Sequence, residues 1–470
     1  MYVAGLLTFV ILLLGSCRAQ ASDHSAAEAI GECAGTDKRP ADSDSPVLLQ
    51  VSQARHHHVG NSPELKWVND PLAVCLDGSS YGFYWQKASD PTASEKWLFF
   101  LQGGGECTSQ ASCQSQCGNG TGLTTSCGLS PSQECGFGGE CSLQQWHSVI
   151  ATADQKFLSV DPVVNPVMHG WNHVYMPFCS QDQWSGTRTS SNSTWGYRFA
   201  GHYIVKAVVS NLRAHGLAAA GEVVLSGVSS GGMGVYIHAN WLQDQLPDAR
   251  VVIAPIAGFF GFGYKYAGPN PNPAGLATFT DATTASYVQL WESYLPQECA
   301  SRLGATLSYR CFLANFSAPF LKVPQFVIQA QTDCVQLLLN DYLPVPTNLS
   351  QVIQPMFGNA DEIDRAFNQQ EIEALYGQLR RQYLTHHQTR AYMEEYKYNN
   401  SIGLMASLKQ GDGIFNPACF VHSNFATDKP LIQGKSFMDG FGEWLVNGTD
   451  VRLQDTCGLL CGHCSLCIWA

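Results

Sequence analysis

Short uninterrupted apolar runs alternate with amphipathic stretches along most of this chain, and the alternation predicts a sheet covered by helices. Trp97-Leu98-Phe99-Phe100-Leu101, Val223-Val224-Leu225, Arg250 to Ile256 and Val323 to Ala330 are runs rich in β-branched and aromatic residues. Apolar on both faces, such strands are buried on both faces, as in a parallel sheet. Trp171 to Phe178 is a further β-like run, and Ala73 to Leu76 and Tyr81 to Trp85 flank the turn Asp77-Gly78-Ser79-Ser80. Between the strands, Ile204, Val205, Val208, Val209 and Leu212 fall on one helical face, and Val235, Ile237, Ala239, Trp241 and Leu242 suit a buried helix. Strand, helix, strand, helix is the order of an α/β fold with a mostly parallel central sheet. Gly258 to Pro273 reads as a loop, and Asp361 to Tyr398 as a polar helical region with His386 and His387 on a solvated face.

One junction in this pattern carries chemistry. In Gly227-Val228-Ser229-Ser230-Gly231 an apolar strand turns directly into a helix, which puts Ser229 on a strained turn with its hydroxyl exposed. The N–H of the next residue and the helix N-terminus then face any negative charge that develops on a substrate carbonyl. With 44 glycines in the chain, the same pattern also describes a plain glycine-rich turn. The two readings separate on whether partners exist.

A serine hydroxyl needs a histidine to remove its proton, and the imidazole needs a carboxylate to fix its tautomer. Downstream of Ser229, Asp333 follows a buried strand and fits the order Ser, Asp, His, whereas Asp281, Asp361 and Asp364 lie in polar or loop contexts. His422, after Asn416-Pro417-Ala418-Cys419-Phe420-Val421, is the best base; His386 and His387 sit in the polar helix and His463 in the cysteine-rich tail. Upstream, Gly103-Gly104-Gly105 ends a buried strand and leaves backbone N–H groups unobstructed for the second half of an oxyanion hole; the plain alternative is a flexible turn.

Composition narrows the setting. At 470 residues and 45% hydrophobic content the chain can bury a large core, and its net charge of -12 argues against nucleic acid or an anionic membrane as the main partner. The apolar run Leu6 to Leu14 followed by Ala19-Gln20-Ala21 reads as a secretory signal peptide over residues 1–21, with Leu14-Gly15-Ser16-Cys17 as a bacterial lipoprotein alternative. That run is too short to span a membrane and no 18-residue apolar run appears elsewhere, so the mature chain is expected to be soluble and, with the signal peptide removed, outside the cell. Of 18 cysteines, all but Cys17 follow Ala21, so an odd number remains and one is free or pairs with another chain. Sequons stand at Asn119, Asn192, Asn315, Asn348, Asn399 and Asn447.

Residues 22–64 read as a flexible polar leader, in which His56-His57-His58 lack the neighbouring ligands of a metal site. Residues 65–450 form the folded domain and 451–470 a cysteine-rich tail. Cys107, Cys113, Cys117, Cys127, Cys135 and Cys141 suit disulfides holding a surface lobe. Cys457, Cys461, Cys464 and Cys467 around His463 suit disulfides better than a zinc knuckle.

Taken together, the segments AVCLDGS from Ala73, LFFLQGGGEC from Leu98, PFCSQDQWSGT from Pro177, SGVSSGG from Ser226, QTDCVQL from Gln331 and CFVH from Cys419 resemble the pectin acetylesterase and Notum family of secreted carboxylesterases. The resemblance runs from about Leu65 to Phe425. It implies an α/β-hydrolase fold and a Ser-Asp-His mechanism without metal or other cofactor. Ser229 would be nucleophile, Asp333 acid and His422 base, with oxyanion donors from the backbone of Gly104, Gly105 and Ser230. Where the family often carries an acidic residue before the glycine loop and a tryptophan after it, this chain has Gln102 and Glu106.

Two esters fit the family: O-acetyl groups on an extracellular polysaccharide such as pectin, and a palmitoleoyl group on a secreted protein. The long chain would need an apolar tunnel, with Phe259 to Tyr266 and Leu337 to Leu339 as its walls; the expected substrate is the acetylated polysaccharide. A non-catalytic binding protein on the same scaffold and a serine peptidase are the alternatives.

Overall fold

Successive residues of the central strands enter opposite hydrophobic layers, which is why those strands are apolar throughout. In the computed structural model of the chain, which describes residues 63–118, 124–126, 153–272, 278–344, 383, 386–422, 430–448 and 450–456, Trp97, Phe99 and Leu101 share a layer with Val223, Leu225, Val251 and Ile253. Leu98 and Phe100 lie in the other layer with Val224, Val252 and Ala254. A side chain buried this way stabilises the fold by about 1.5–3 kcal/mol relative to leaving it in water.

The strands are β1 (Glu64–Trp67), β2 (Gly82–Gln86), β3 (Lys96–Leu101), β4 (Asn172–Met176), β5 (Glu222–Val228), β6 (Arg250–Ile256), β7 (Phe326–Ile328), β8 (Gly413–Asn416) and β9 (Arg452–Gln454). They form one sheet in the order β1-β2-β4-β3-β5-β6-β7-β8-β9. From β4 onward along that order every pairing is parallel, while β1 and β2 add an antiparallel edge. The C-terminal ends of β3, β5, β6, β7 and β8 therefore point to one edge of the sheet. The α/β expectation is met.

The helices of seven or more residues among the described residues are α1 (Gln110–Gly118), α2 (Gly201–Arg213), α3 (Ser230–Gln245), α4 (Asp281–Trp291), α5 (Gln297–Leu303), α6 (His387–Ser407) and α7 (Phe437–Asn447). In α2 the apolar face read from the spacing is buried as expected, and with α3 it covers one face of the sheet. Phe437, Phe441, Trp444 and Leu445 of α7 cover the other. A third, aromatic cluster around Phe260, Phe279, Trp291 and Phe312 packs beside the glycine loop. No helix among the described residues is long and apolar enough to cross a membrane.

Several elements differ from the sequence-based expectation. Residues 73–76 form only an isolated bridge, Val74 to Ser80, because the chain there is held by the Cys75–Cys179 disulfide and not by a partner strand. The strand expected over Val323 to Ala330 shortens to β7. The last strand, β9, falls within the stretch read as tail. Helix α6 runs on to Ser407 and is more than solvated surface: Met393 and Leu404 are buried, although His386 and His387 are exposed as expected. The segment 361–382, residues 1–62 with the signal peptide, leader and His56 to His58, and the cysteines from Cys127 to Cys141 and from Cys457 onward lie outside the described residues.

Candidate active site

At the end of β5 the chain enters α3 with no intervening loop, and Ser229 takes up the whole turn. Its φ of 56° and ψ of -119° lie in a region that L-residues rarely adopt. The surrounding backbone fixes it there: its N–H donates to Ile256 O at 2.9 Å, and its carbonyl accepts the Met233 N–H at 3.0 Å. A Cβ at Gly231 would lie 1.9 Å from Leu101 O, so only glycine lets α3 start this close to β3. Ser230 opens α3, and its N–H has no acceptor within the helix.

The glycine loop packs onto this turn. A Cβ at Gly103 would lie 2.6 Å from Val228 O and 2.9 Å from Ser229 Cβ. Gly105, at φ 77°, donates its N–H to Ser230 Oγ at 2.8 Å, and that hydroxyl donates back to Gly105 O at 3.0 Å. Of the three N–H groups expected to face an oxyanion, that of Gly105 is thus bonded to the Ser230 side chain. Those of Gly104 and Ser230 make no hydrogen bond to another described residue. The sequence pattern carries no sign of this side-chain clasp.

Gln102 and Glu106, the two departures from the family pattern, both brace the loop. Gln102 Oε1 accepts the Phe178 N–H at 2.9 Å, and its carbonyl accepts Trp184 Nε1 at 3.0 Å. Glu106 is buried, with Oε2 accepting from Gln183 Nε2 at 2.6 Å. The bracing segment is strained in its turn, since Gln181, Gln183 and Trp184 all have positive φ. Sequence reasoning singled out this segment only through the family resemblance and gave it no role.

At the centre of that segment Asp182 is fully buried, accepting from Ser180 Oγ at 2.6 Å and from the N–H groups of Gly201 at 2.8 Å and Gly186 at 3.2 Å. Burial pushes its carboxyl from 3.8 up to about 6, outweighing these hydrogen bonds. Because the folded value lies above the unfolded one, the folded state holds the proton more tightly. The stability this contributes is complete below about pH 4 and is lost as pH rises through about 6. Asp182→Asn, isosteric and unable to ionise, is expected to remove that component. Thermal unfolding followed from acid to neutral pH checks it: His173, His202 and His238, lowered by burial, titrate in both proteins, so the expected result is that the wild type loses stability relative to the variant as pH rises through about 6.

Asp333 and His422 are brought together from loops after β7 and β8. His422 Nδ1 lies 2.9 Å from Asp333 Oδ1 and 2.8 Å from Oδ2, with both side chains buried. The N–H groups of Val335, at 2.9 Å, and Gln336, at 3.2 Å, also donate to Oδ1, and Gln329 Nε2 donates to Oδ2 at 2.9 Å. Facing a carboxylate, Nδ1 is the protonated nitrogen, which leaves Nε2 as an acceptor. That Nε2 is buried and has no hydrogen-bond partner among the described residues. Ser229 ends β5, so parallel neighbours β5, β6, β7 and β8 carry all three residues to the same edge of the sheet.

The competing candidates lie elsewhere. Asp281 is exposed and paired with Arg310 and Tyr309, while Asp361, Asp364 and His463 lie outside the described residues. Cys334, next to Asp333, is unpaired; burial and then the Asp333 carboxylate push its thiol well above the usual value, so it is held as the weakly nucleophilic thiol. Disulfides join Cys75 to Cys179, Cys107 to Cys113 and Cys299 to Cys311, and Cys419 is also disulfide-bonded. Among the sequons, Asn192, Asn399 and Asn447 are exposed, Asn315 is half-buried against Gly403 of α6, and Asn119 and Asn348 lie outside the described residues.

Comparison with known proteins agrees with this architecture. A family model for pectinacetylesterases matches residues 60–465. The palmitoleoyl-protein carboxylesterase NOTUM of Drosophila melanogaster is 30% identical over 316 residues, covering 65% of this chain and 43% of that protein. Pectin acetylesterase 5 of Arabidopsis thaliana is 26% identical over 395 residues, covering 82% of this chain and 79% of that protein. The chain spans about half the length of the Notum relatives it matches. A solved structure of the Wnt deacylase Notum from Drosophila superposes with a TM-score of 0.64 at 25% identity, covering 84% of this chain and 97% of that one. With the family model matched over most of its length, the chain belongs to the pectinacetylesterase family.

Proposed function

We propose that the protein hydrolyses carboxylic esters outside the cell, with Ser229 as nucleophile, His422 as general base and Asp333 as the acid that orients it. The observation that carries this is the Asp333–His422 pair, whose Nε2 has no partner among the described residues and lies at the sheet edge where the Ser229 turn stands. In the reaction, Ser229 Oγ attacks the ester carbonyl carbon as His422 Nε2 takes its proton. The oxygen that becomes negative is met by the N–H groups of Gly104 and Ser230, each worth on the order of 3 kcal/mol in the transition state. His422 returns the proton to the departing alcohol, then activates a water that releases the acid from Ser229. Three long-range or local disulfides support an oxidising, extracellular setting.

The proposed substrate is an O-acetyl group on an extracellular polysaccharide. Supporting a short acyl group, Phe259, Phe260, Tyr266 and Leu337 to Leu339 among the residues offered as walls of a long-chain tunnel are buried in the packing, while Phe262 is half-buried and Tyr264 is exposed. The Arabidopsis pectin acetylesterase is also matched over most of its length. Removal of a long acyl group from a protein is the second reading, favoured by the 30% identity to Drosophila NOTUM. Turnover of p-nitrophenyl esters from acetate to palmitate tests the choice: a maximum at acetate is expected, and a maximum at octanoate or longer would replace this substrate with the second.

A further inference from the structure

Gln329 follows β7 directly and is fully buried. Its carboxamide has a partner on each side, with Oε1 accepting the Phe259 N–H at 3.1 Å and Nε2 donating to Asp333 Oδ2 at 2.9 Å. This orientation is forced. A backbone N–H can only donate, so the oxygen must face Phe259 and the NH2 must face the carboxylate. The backbone of Gln329 is held as firmly, its N–H donating to Phe415 O at 3.0 Å and its carbonyl accepting from Asn416 Nδ2.

Phe259 lies just beyond Ile256, whose carbonyl takes the Ser229 N–H. Gln336 closes the bracket from the other side: its side chain donates to Phe259 O at 3.1 Å, and its N–H donates to Asp333 Oδ1. The segment behind the nucleophile and the carboxylate are thus joined through two glutamines. The torsion that turns an aspartate carboxylate is soft and two-fold, so the partners set the plane of Asp333 and its own rotamer does not. On Oδ2 those partners are Gln329 and His422.

We infer that Gln329 is a positioning residue for ester cleavage: it fixes the Asp333 carboxylate against His422 Nδ1 and ties it to the backbone behind Ser229. The inference rests on the reading of Ser229, Asp333 and His422 given above. Besides His422, the titratable groups on which the Asp333 charge acts are Cys334 and Tyr396. Burial, followed by the Asp333 charge, raises both well above their ordinary values, so both stay neutral through the working pH range.

Two variants of the full chain test it, assayed on p-nitrophenyl acetate beside Ser229→Ala. Gln329→Ala should lower kcat about 10- to 100-fold with KM little changed, the effect of misplacing a catalytic group by a fraction of an ångström to an ångström. Gln329→Glu keeps the size and the acceptor for Phe259 but puts a second carboxyl against Asp333, where the two share a proton. While protonated, the introduced carboxyl donates to Asp333 and turnover persists. As it ionises it repels Asp333, so the pH profile should narrow from the alkaline side.

A residue that only fills space would leave the shape of that profile unchanged. With Ser229→Ala inactive, wild-type kcat in Gln329→Ala or a wild-type profile in Gln329→Glu overturns the inference alone. Activity surviving in Ser229→Ala removes the triad and the inference together. Should Gln329→Ala fail to fold, the pH profile of Gln329→Glu decides.

Discussion

Ser229→Ala is expected to lower turnover of p-nitrophenyl acetate on the order of a million-fold while leaving the unfolding transition where it is. The two halves of this expectation have separate physical origins. Chemistry is lost because the only atom removed is the hydroxyl oxygen that bonds to the carbonyl carbon. Stability is kept because the φ of 56° costs alanine about what it costs serine, and the backbone bonds to Ile256 and Met233 do not involve the side chain. Steady-state assay and urea unfolding of the same preparation check both. Full activity in the variant would place the chemistry elsewhere.

Gly231→Ala is expected to do the reverse, damaging the fold first. The new methyl would meet Leu101 O at 1.9 Å, Leu101 C at 2.6 Å and Gln102 O at 3.0 Å, all of them backbone. That backbone has little room to yield, because Leu101 is paired with Met176 on one side and Gly227 on the other. The helix must move off the sheet or β3 must bend, at a cost of about 3 kcal/mol or more. Either movement also shifts the glycine loop away from Ser229. Urea unfolding should show the loss of stability, and the fraction that stays folded should be poorly active; a variant as stable and active as the wild type would contradict the close packing described.

Much of the fold was legible because two simple periodicities carry it. The parallel strands are apolar throughout and the α2 face repeats at helical spacing, so their existence and order could be read directly. The elbow was legible for a different reason: a strand run, Gly227, Ser229, Gly231 and a helix run are contiguous in the chain. Asp333 and His422 could be chosen by order and by the apolar segments before them.

What could not be read depends on contacts between distant segments. The Cys75–Cys179 pairing has no local signature. Nor does the clasp of Gly105 by Ser230, or the role of Gln102 and Glu106 as braces of the glycine loop. Gln329 and Gln336 look like ordinary polar residues in sequence. Only the packing of two loops onto Phe259 gives them partners. Helix α6 was read as solvated because its composition is polar, yet Met393 and Leu404 dock into the hydrophobic layers.

The most direct test of the central claim is covalent labelling of the purified protein with a fluorophosphonate probe, followed by mass mapping of its peptides. The probe reports only a serine activated by a neighbouring base. The account requires the added mass on Ser229, with labelling slowed by an ester substrate and lost in His422→Ala. Label on a different serine, or none while the protein is folded, would contradict it.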